Sequence, residues 1–122
     1  STRETGWLSG SFLLLRREAW EAVGGFDEKY FMFFEDVDLG WRLQQHGYTN
    51  LYVPSATAIH EGGHSTKSNY TLMLTAHHES AVRFITKRYP GPLFAPVRAI
   101  IGIGLTLREK ILRGRALQLS RD

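Results

Sequence analysis

The chain has 122 residues, enough for one domain at most, and its 43% hydrophobic and 22% charged content is ordinary for a globular protein. It contains no cysteine, which excludes disulfides and thiolate metal sites. The net charge of +3 hides an asymmetry, since residues 1–82 carry 6 Lys/Arg against 10 Asp/Glu and residues 83–122 carry 9 against 2. A basic last third favours an anionic partner, either lipid headgroups or nucleic acid.

The first predicted elements are a strand and a short helix. Four consecutive apolar residues at Phe12–Leu15 predict a buried strand. Gly10, just before it, leaves room for another group to approach the backbone closely. A helix is predicted over Arg17–Val23, because a glycine pair follows it and signals a C-terminal cap.

Three carboxylates, Glu35, Asp36 and Asp38, crowd the predicted start of the next helix and follow the bulky run Phe31–Phe34. The helix macrodipole favours such charges by about 0.3–1 kcal/mol each, which is the plain structural explanation. That explanation does not account for the aromatic run. Asp38 precedes Arg42 by four residues and is assigned a structural ion pair, whereas Asp36 projects to another side and can face a cleft as a general base.

The remaining elements follow in order. The acidic helix is predicted over residues 36–46, a short strand over 49–53 and a second extended piece over 56–60, before a Gly-rich loop. A long helix is predicted over residues 69–89. The apolar stretch at residues 93–107 is shorter than the roughly 20 residues that a membrane-spanning helix needs.

Two histidines, His60 and His64, are spaced like a pair of metal ligands on a helix. Two glycines lie between them and argue against a helix there, and without cysteines a closed zinc site is not expected. His60 with carboxylates and diphosphate oxygens would suit an open Mg²⁺ or Mn²⁺ site. A donor to phosphate and a simple loop cap are the other roles open to His60.

The basic segment after the apolar stretch has two interpretations. An apolar helix followed by cations is typical of an interfacial helix on anionic lipid. The alternative is a helix that packs on another part of the protein. Binding of nucleic acid is not expected, because the basic residues are interleaved with long aliphatic ones and no nucleic-acid module motif is present.

The motifs, taken in order, resemble glycosyltransferase family 2, and most closely its bacterial rhamnosyltransferase-type members. The resemblance covers about residues 6–67. Its anchors are Trp7-x-Ser9-Gly10, Arg16-Arg17, Gly24-Gly25-Phe26-Asp27-Glu28, Phe34-Glu35-Asp36-Val37-Asp38-Leu39-x-x-Arg42, Gly47, His60 and Gly63-x-Ser65.

The resemblance implies a GT-A fold, a nucleotide-diphosphate sugar donor with dTDP-rhamnose expected, a divalent cation (Mg²⁺ or Mn²⁺) and inversion at the anomeric carbon. It implies that Asp36 is the general base and that His60 binds the metal or the diphosphate. It also implies substrate contacts for Trp7, Gly10 and Glu35, on the acceptor or donor-sugar side.

The family's nucleotide-binding βαβ units and its Asp-x-Asp metal motif have no counterpart in this sequence. The expected fold is therefore α/β, the C-terminal half of a GT-A fold with short mixed sheet strands and helices, followed by a C-terminal helical segment. Residues 1–67 are expected to form the acceptor-side part that carries the base, and residues 68–122 the helical segment, with possible membrane association.

The expected function of the intact enzyme is transfer of a sugar, rhamnose by preference, to a cell-surface glycan or lipid-linked acceptor at the cytoplasmic face of the plasma membrane. The fragment alone is expected to be inactive, and exposed strand edges favour homo-oligomers. One rival is a non-catalytic module for membrane or subunit association. Another is a small metal-binding protein that uses His60, His64 and carboxylates.

Overall fold

The computed structural model describes residues 1–61 and 69–119, which fall into two compact units, Ser1–Gly63 and His64–Asp122. The described part of the first unit contains β1 (Arg3–Thr5), α1 (Arg17–Val23), α2 (Glu35–Gln45) and β2 (Asn50–Tyr52). The described part of the second contains α3 (Tyr70–Arg88), a 3₁₀ turn (Pro92–Phe94) and α4 (Ala95–Leu119). The predicted mixed α/β class is confirmed, and these elements agree with part of a GT-A fold.

Some predictions fall on residues that the structure does not describe. The predicted boundary after residue 67, the glycine pair at 62 and 63, His64 and Ser65 all lie outside the described residues. The functional division into residues 1–67 and 68–122 stays a prediction.

The sheet of the first unit consists of β1 and β2, paired antiparallel with Thr5 opposite Asn50 and Arg3 opposite Tyr52. β2 lies within the strand predicted at residues 49–53, whereas β1 was not predicted. The guanidinium of Arg3 lies 5.0 Å from the centroid of the Tyr52 ring, so a cation–π contact supports the end of this short ladder.

The predicted strand at Phe12–Leu15 is wrong, because no described segment pairs with it. Its side chains nevertheless alternate as in a strand. Leu13 and Leu15 pack against the core, while Phe12 is 59% exposed and Leu14 is 94% exposed. The apolar pattern thus predicted the extended course, but a strand also needs a neighbour to accept its backbone hydrogen bonds.

The core of the first unit joins α1 to α2 through Ala19, Leu39 and Leu43. α1 ends as predicted at Gly24, which has a φ of 72° and donates its N–H to the carbonyl oxygen of Glu21 at 3.2 Å. Left-handed backbone of this kind suits glycine, which pays no Cβ penalty. The core therefore fixes where α2, the helix with the acidic motif, starts and how it faces the residues before α1.

The second unit is a helical hairpin, and its long helix α3 agrees with the prediction over residues 69–89. The chain turns between the helices at Gly91, whose φ is 92°. Arg98 at the start of α4 donates hydrogen bonds from Nη1 to the carbonyl oxygens of Tyr89 (2.7 Å) and Gly91 (2.8 Å), which ties the turn to the helix. No helix in the described ranges has an apolar run long enough to cross a membrane.

Candidate functional site

The site is built around the start of α2, which follows two residues in the left-handed region. Phe33 has a φ of 67° and Phe34, the N-cap of the helix, has a φ of 64°. These are the only non-glycine residues with positive φ in the described part of the chain. Such a conformation costs roughly 1–2 kcal/mol per residue, and backbone strain of this kind clusters at functional sites. The aromatic run therefore forms a strained turn that sets the direction of the acidic motif.

Asp36, the predicted general base, is held in place by two main-chain donors. Its Oδ2 accepts the N–H of Gly10 at 2.8 Å, and its Oδ1 accepts the N–H of Val37 at 2.8 Å. The side chain is half-buried, and no cation pairs with it among the described residues. Because each carboxylate oxygen offers about two acceptor positions, both oxygens keep capacity for a further donor such as a hydroxyl.

Asp36 lies on the wall of an open cleft of about 1100 Å³. The walls come from the segment before α1, from the Leu39 and Leu43 side of α2 and from β2 with its flanking residues. Most of the lining is apolar. Among the described residues that line it, Asp36 is the only carboxylate and Arg16 the only cation. A mostly apolar concavity with few polar groups is the usual form of a ligand site.

The predicted close approach at Gly10 is made by Asp36 itself. A Cβ built on Gly10 would lie 3.5 Å from the Cβ of Asp36 and 3.7 Å from its Oδ2, which is ordinary van der Waals contact. Gly10 therefore contributes its N–H and a small surface beside the carboxylate. Its predicted contact with substrate stays a prediction.

Asp38 has the structural role that its spacing predicted. It is fully buried, and its Oδ2 lies 2.6 Å from Nε of Arg42. Arg42 also donates to the carbonyl oxygens of Val23 (2.6 Å), the last residue of α1, and of Gly25 (2.8 Å), just beyond it. The Tyr30 hydroxyl donates to Asp38 Oδ1 at 3.3 Å. This network locks α2 to the end of α1, so it positions Asp36 without lying in the cleft.

Trp7 is 46% exposed and is absent from the described lining of the cleft. Its backbone crosses α2 at Gly40, where an added Cβ would lie 2.9 Å from both Cα and Cβ of Trp7. The buried side chain of Asn50 fastens this crossing, because Nδ2 donates to the carbonyl oxygens of Gly6 (3.1 Å) and Gly40 (2.9 Å). The substrate role of Trp7 stays a prediction.

Gly40 and Asn50 are positioning residues that the sequence reasoning missed. A glycine inside a helix costs about 1 kcal/mol relative to alanine, so Gly40 was the available signal that another backbone passes closely over α2. Asn50 gave no comparable signal, because an asparagine at a strand end is common in turns.

Glu35, the first acid of the motif, carries an acceptor with no bond. Its Oε2 is buried and has no hydrogen-bond partner within the described residues. A buried acceptor left unpaired costs about 1–3 kcal/mol or more when charged. A donor group on a bound molecule would remove that cost, and substrate contact by Glu35 stays a prediction.

His60 is exposed in the segment after β2, and it is not among the described residues that line the cleft. No group of three or more His, Cys, Asp or Glu side chains that could hold a metal ion is present in the described ranges. The described residues therefore do not fit a complete cation site, and no chemical step is derived through one. The assignment of His60 to a metal or diphosphate stays a prediction.

The second unit has a polar cluster of its own between its helices. Glu109 Oε1 accepts from the Thr75 hydroxyl at 2.8 Å and lies 2.6 Å from Nη2 of Arg113. The hydrogen bond from Thr75, and then the charge of Arg113, hold the pKa of Glu109 below its ordinary value of 4.5. The cluster links α4 to α3 through the bonds that Glu109 makes with Thr75 and Arg113.

A histidine pair completes this cluster. His78 is buried, and its Nε2 lies 3.2 Å from Nη1 of Arg108. Burial, followed by the neighbouring His78 and Arg108, lowers the pKa of His77 below its ordinary 6.5. The neutral form of His77 is therefore favoured in the folded chain.

Comparison with known proteins bears on this geometry. Residues 1–90 match the model of glycosyl transferase family group 2. The chain is 47% identical over 121 residues to an N-acetylglucosaminyl-diphospho-decaprenol L-rhamnosyltransferase of Mycobacterium tuberculosis. It is 38% identical over 82 residues to the rhamnosyltransferase WbbL of Escherichia coli. No solved structure matches it.

These alignments cover most of this chain but less than half of each relative. The first match takes in 99% of this chain but 39% of the mycobacterial protein, and the second takes in 67% of this chain and 31% of the Escherichia coli protein. The chain therefore spans about a third to two fifths of these relatives. The family match itself covers most of the chain and includes the acidic motif and the cleft. The chain belongs to glycosyl transferase family group 2, as the motifs predicted.

Proposed function

We propose that this chain carries the catalytic base of an inverting glycosyltransferase that moves rhamnose from a nucleotide-diphosphate sugar to a glycan or lipid-linked acceptor. The observation that carries the proposal is Asp36, a half-exposed carboxylate that the Gly10 N–H holds at the wall of the cleft. The family match and the names of the relatives support the reaction class.

The chemistry follows from the acceptor capacity of that carboxylate. An acceptor hydroxyl in the cleft donates a hydrogen bond to Asp36, at about 2.6–3.2 Å between heavy atoms. Its oxygen forms a bond to C1 of the sugar while its proton passes to Asp36. The bond between C1 and the diphosphate oxygen breaks, and the nucleoside diphosphate leaves with the electron pair. Attack opposite the leaving group inverts the configuration at C1.

The surroundings of Asp36 suit this role. The strained Phe33–Phe34 turn and the Asp38–Arg42 network fix α2, so the carboxylate is placed before substrate binds. Preorganised groups of this kind avoid reorganisation at the moment of reaction. Because the described lining holds few polar groups, few side chains compete with Asp36 for the acceptor hydroxyl.

Asp36→Asn in the complete enzyme tests the base directly. We expect turnover to fall by about 10²–10⁴-fold, the usual contribution of a general base. Binding of the donor should persist, because the asparagine amide oxygen still accepts the Gly10 N–H and keeps the loop in place. Rates come from product formation under saturating donor, and donor affinity comes from calorimetry.

The matched control is Glu28→Gln, which neutralises an exposed carboxylate outside the cleft and should leave turnover within a factor of two or so. If Asp36→Asn keeps near-normal turnover, Asp36 is not the base.

The substrates are proposed from the resemblance and from the relatives. dTDP-rhamnose is the proposed donor, and an N-acetylglucosaminyl-diphospho-lipid is the proposed acceptor, after the name of the mycobacterial relative. The test offers the complete enzyme dTDP-rhamnose beside UDP- and GDP-sugars, each with a short synthetic N-acetylglucosaminyl-diphospho-lipid as the acceptor. Equal or better transfer from another donor would overturn the sugar assignment without touching the role of Asp36.

The divalent cation and the site of action are proposed on the resemblance alone. Loss of transfer in a chelator, with recovery on addition of Mg²⁺ or Mn²⁺, would support a cation. A higher cation concentration needed for half-maximal transfer by His60→Ala would support a metal-binding role for His60. Action at the cytoplasmic face of the plasma membrane belongs to the same proposal. The non-catalytic association module finds no support, because the chain belongs to an enzyme family.

A further inference from the structure

One face of α4 carries an apolar stripe that no described residue covers. Its members recur at steps of three and four residues, so they lie on one side of the helix. Each is more than half exposed, with Ile100 at 71% and Ile103 at 62%. We define the apolar stripe as Val97, Ile100, Ile103, Leu107 and Ile111. It runs through 15 residues, about 20 Å along the helix.

The charged residues of α4, the helix that carries the stripe, are almost all cations. α4 contains five cations and a single acid, and residues 83–122 as a whole carry net +7. The exposed Lys110 comes one turn after Leu107, and the exposed Arg115 comes one turn after Ile111. The single acid, Glu109, faces α3, where its carboxylate is bonded to Thr75. The cations next to the stripe are therefore not neutralised by acids of their own helix.

This combination favours an anionic lipid surface over a second copy of the chain. Packing on another part of a longer protein would be the result if the complete enzyme did not float with anionic vesicles. A second copy of the chain would bring two strongly cationic regions together, and that repulsion opposes association. An anionic lipid surface attracts the cations and receives the apolar side chains at the boundary between headgroups and acyl chains, about 5–10 Å deep. We propose that the apolar stripe of α4 docks on an anionic phospholipid surface, with Lys110 and Arg115 at the headgroups.

The proposal goes beyond the transfer reaction and stands whether or not rhamnose is the sugar. It gives the second unit a role separate from the chemistry of the first. A lipid-linked acceptor, as proposed above, would be presented at the same surface.

The first test is flotation of the purified 122-residue chain with vesicles of phosphatidylcholine alone or of phosphatidylcholine and phosphatidylglycerol in equal amounts. We expect flotation with the anionic vesicles, reduced by high salt. Neutralising Lys110 and Arg115 to glutamine should lower the partition coefficient about fivefold for each cation. Arg17→Gln with Lys29→Gln, at exposed cations of the first unit, should leave it unchanged.

The apolar arm changes Ile100, Ile103 and Leu107 together to serine. We expect partitioning to fall by on the order of a hundredfold, because most of the inserted apolar area is lost. The matched control is Leu72→Ser with Val82→Ser, two apolar residues of α3 with comparable exposure that lie outside the stripe. Circular dichroism checks that each variant keeps its helices.

A second measurement does not depend on the triple variant folding. Because the chain has no cysteine, Ile103→Cys and Leu72→Cys each accept a single environment-sensitive fluorophore. Anionic vesicles should shift the emission of the label at 103 to the blue and leave the label at 72 unchanged. Equal shifts at both positions, or no flotation of the parent chain, would overturn the proposal. If the chain forms a dimer in solution and the serine variant is monomeric, the stripe instead contacts a second copy of the chain.

Discussion

The two units of this chain use charge in opposite ways. In the first unit, two carboxylates are fixed by short bonds: the buried Asp38 by Arg42, and Asp36 at the cleft wall by the Gly10 N–H. In the second unit, Glu109 of α4 is bonded to Thr75 of α3, whereas Lys110 and Arg115 of α4 are exposed beside apolar side chains. The comparison separates a unit that positions one chemical group from a unit that presents a surface.

The largest effect on stability is expected where the first unit loses its inward ion pair. Arg42→Met leaves Asp38, which is fully buried, without its cation, and should lower the free energy of unfolding of that unit by about 3–5 kcal/mol. The counterpart is Arg113→Met, which breaks an ion pair with Glu109 whose arginine is 43% exposed. That variant should cost the second unit no more than about 1 kcal/mol.

The two units can be followed separately in these experiments. All three tryptophans, Trp7, Trp20 and Trp41, lie in the first unit, so their fluorescence in urea reports its unfolding. Far-ultraviolet circular dichroism is dominated by the long helices of the second. Similar losses from Arg42→Met and Arg113→Met would remove the contrast between the units.

A pair of glycine variants gives the next largest effect. Gly40→Ala places a Cβ 2.9 Å from the Trp7 backbone, and overpacking of this kind typically costs about 1–3 kcal/mol. Gly102→Ala meets nothing within 4 Å in α4 and should instead stabilise its helix by about 0.5–1 kcal/mol, since alanine is the better helix former. Urea denaturation should give changes in the free energy of unfolding of opposite sign for the two variants. A Gly40→Ala variant with unchanged stability would contradict the close crossing of Trp7 over α2.

The smallest effect is a pH dependence of the stability of the second unit. Because the pKa of His77 is lowered in the fold, the unfolded chain takes up a proton first as the pH falls below 6.5, and stability declines. The lowered pKa of Glu109 adds to the decline below 4.5, where its bonds to Thr75 and Arg113 are lost by protonation. Both signs agree, so circular dichroism melts should show a falling midpoint on acidification.

Variants separate these two groups. Glu109→Gln should remove the decline in stability below pH 4.5. His77→Phe should remove the decline that begins at pH 6.5. A second unit that grows more stable on acidification would contradict both assignments.

Local features of the sequence predicted most of the helices and one ion pair. α1 with its glycine cap, α2, α3 and the Asp38–Arg42 pair depend on residues a few positions apart, which a periodic pattern records directly. The Asp36 assignment was reached from local spacing and a family resemblance, and the structure adds its two main-chain donors. Apart from the Phe33–Phe34 turn, the features that the sequence did not predict depend on residues far apart in the chain.

Three such parts stand out. The bond between Gly10 and Asp36 spans 26 residues, and the Asn50 link between Gly6 and Gly40 exists only after β1 and β2 pair. The extended Phe12–Leu15 segment was misjudged for the same reason, because a ladder belongs to two segments rather than one. The left-handed pair of phenylalanines runs against intrinsic preference, so no propensity could indicate it.

The Gly10–Asp36 bond has a consequence for how such enzymes diversify. Its donor is a peptide N–H, which every amino acid except proline retains, so substitution of side chains along the cleft cannot delete it. The position of the Asp36 carboxylate, the proposed base, is thereby independent of the side chains that form the rest of the cleft wall. Side chains of the cleft wall can therefore be exchanged while the backbone N–H of Gly10 still holds the Asp36 carboxylate in place.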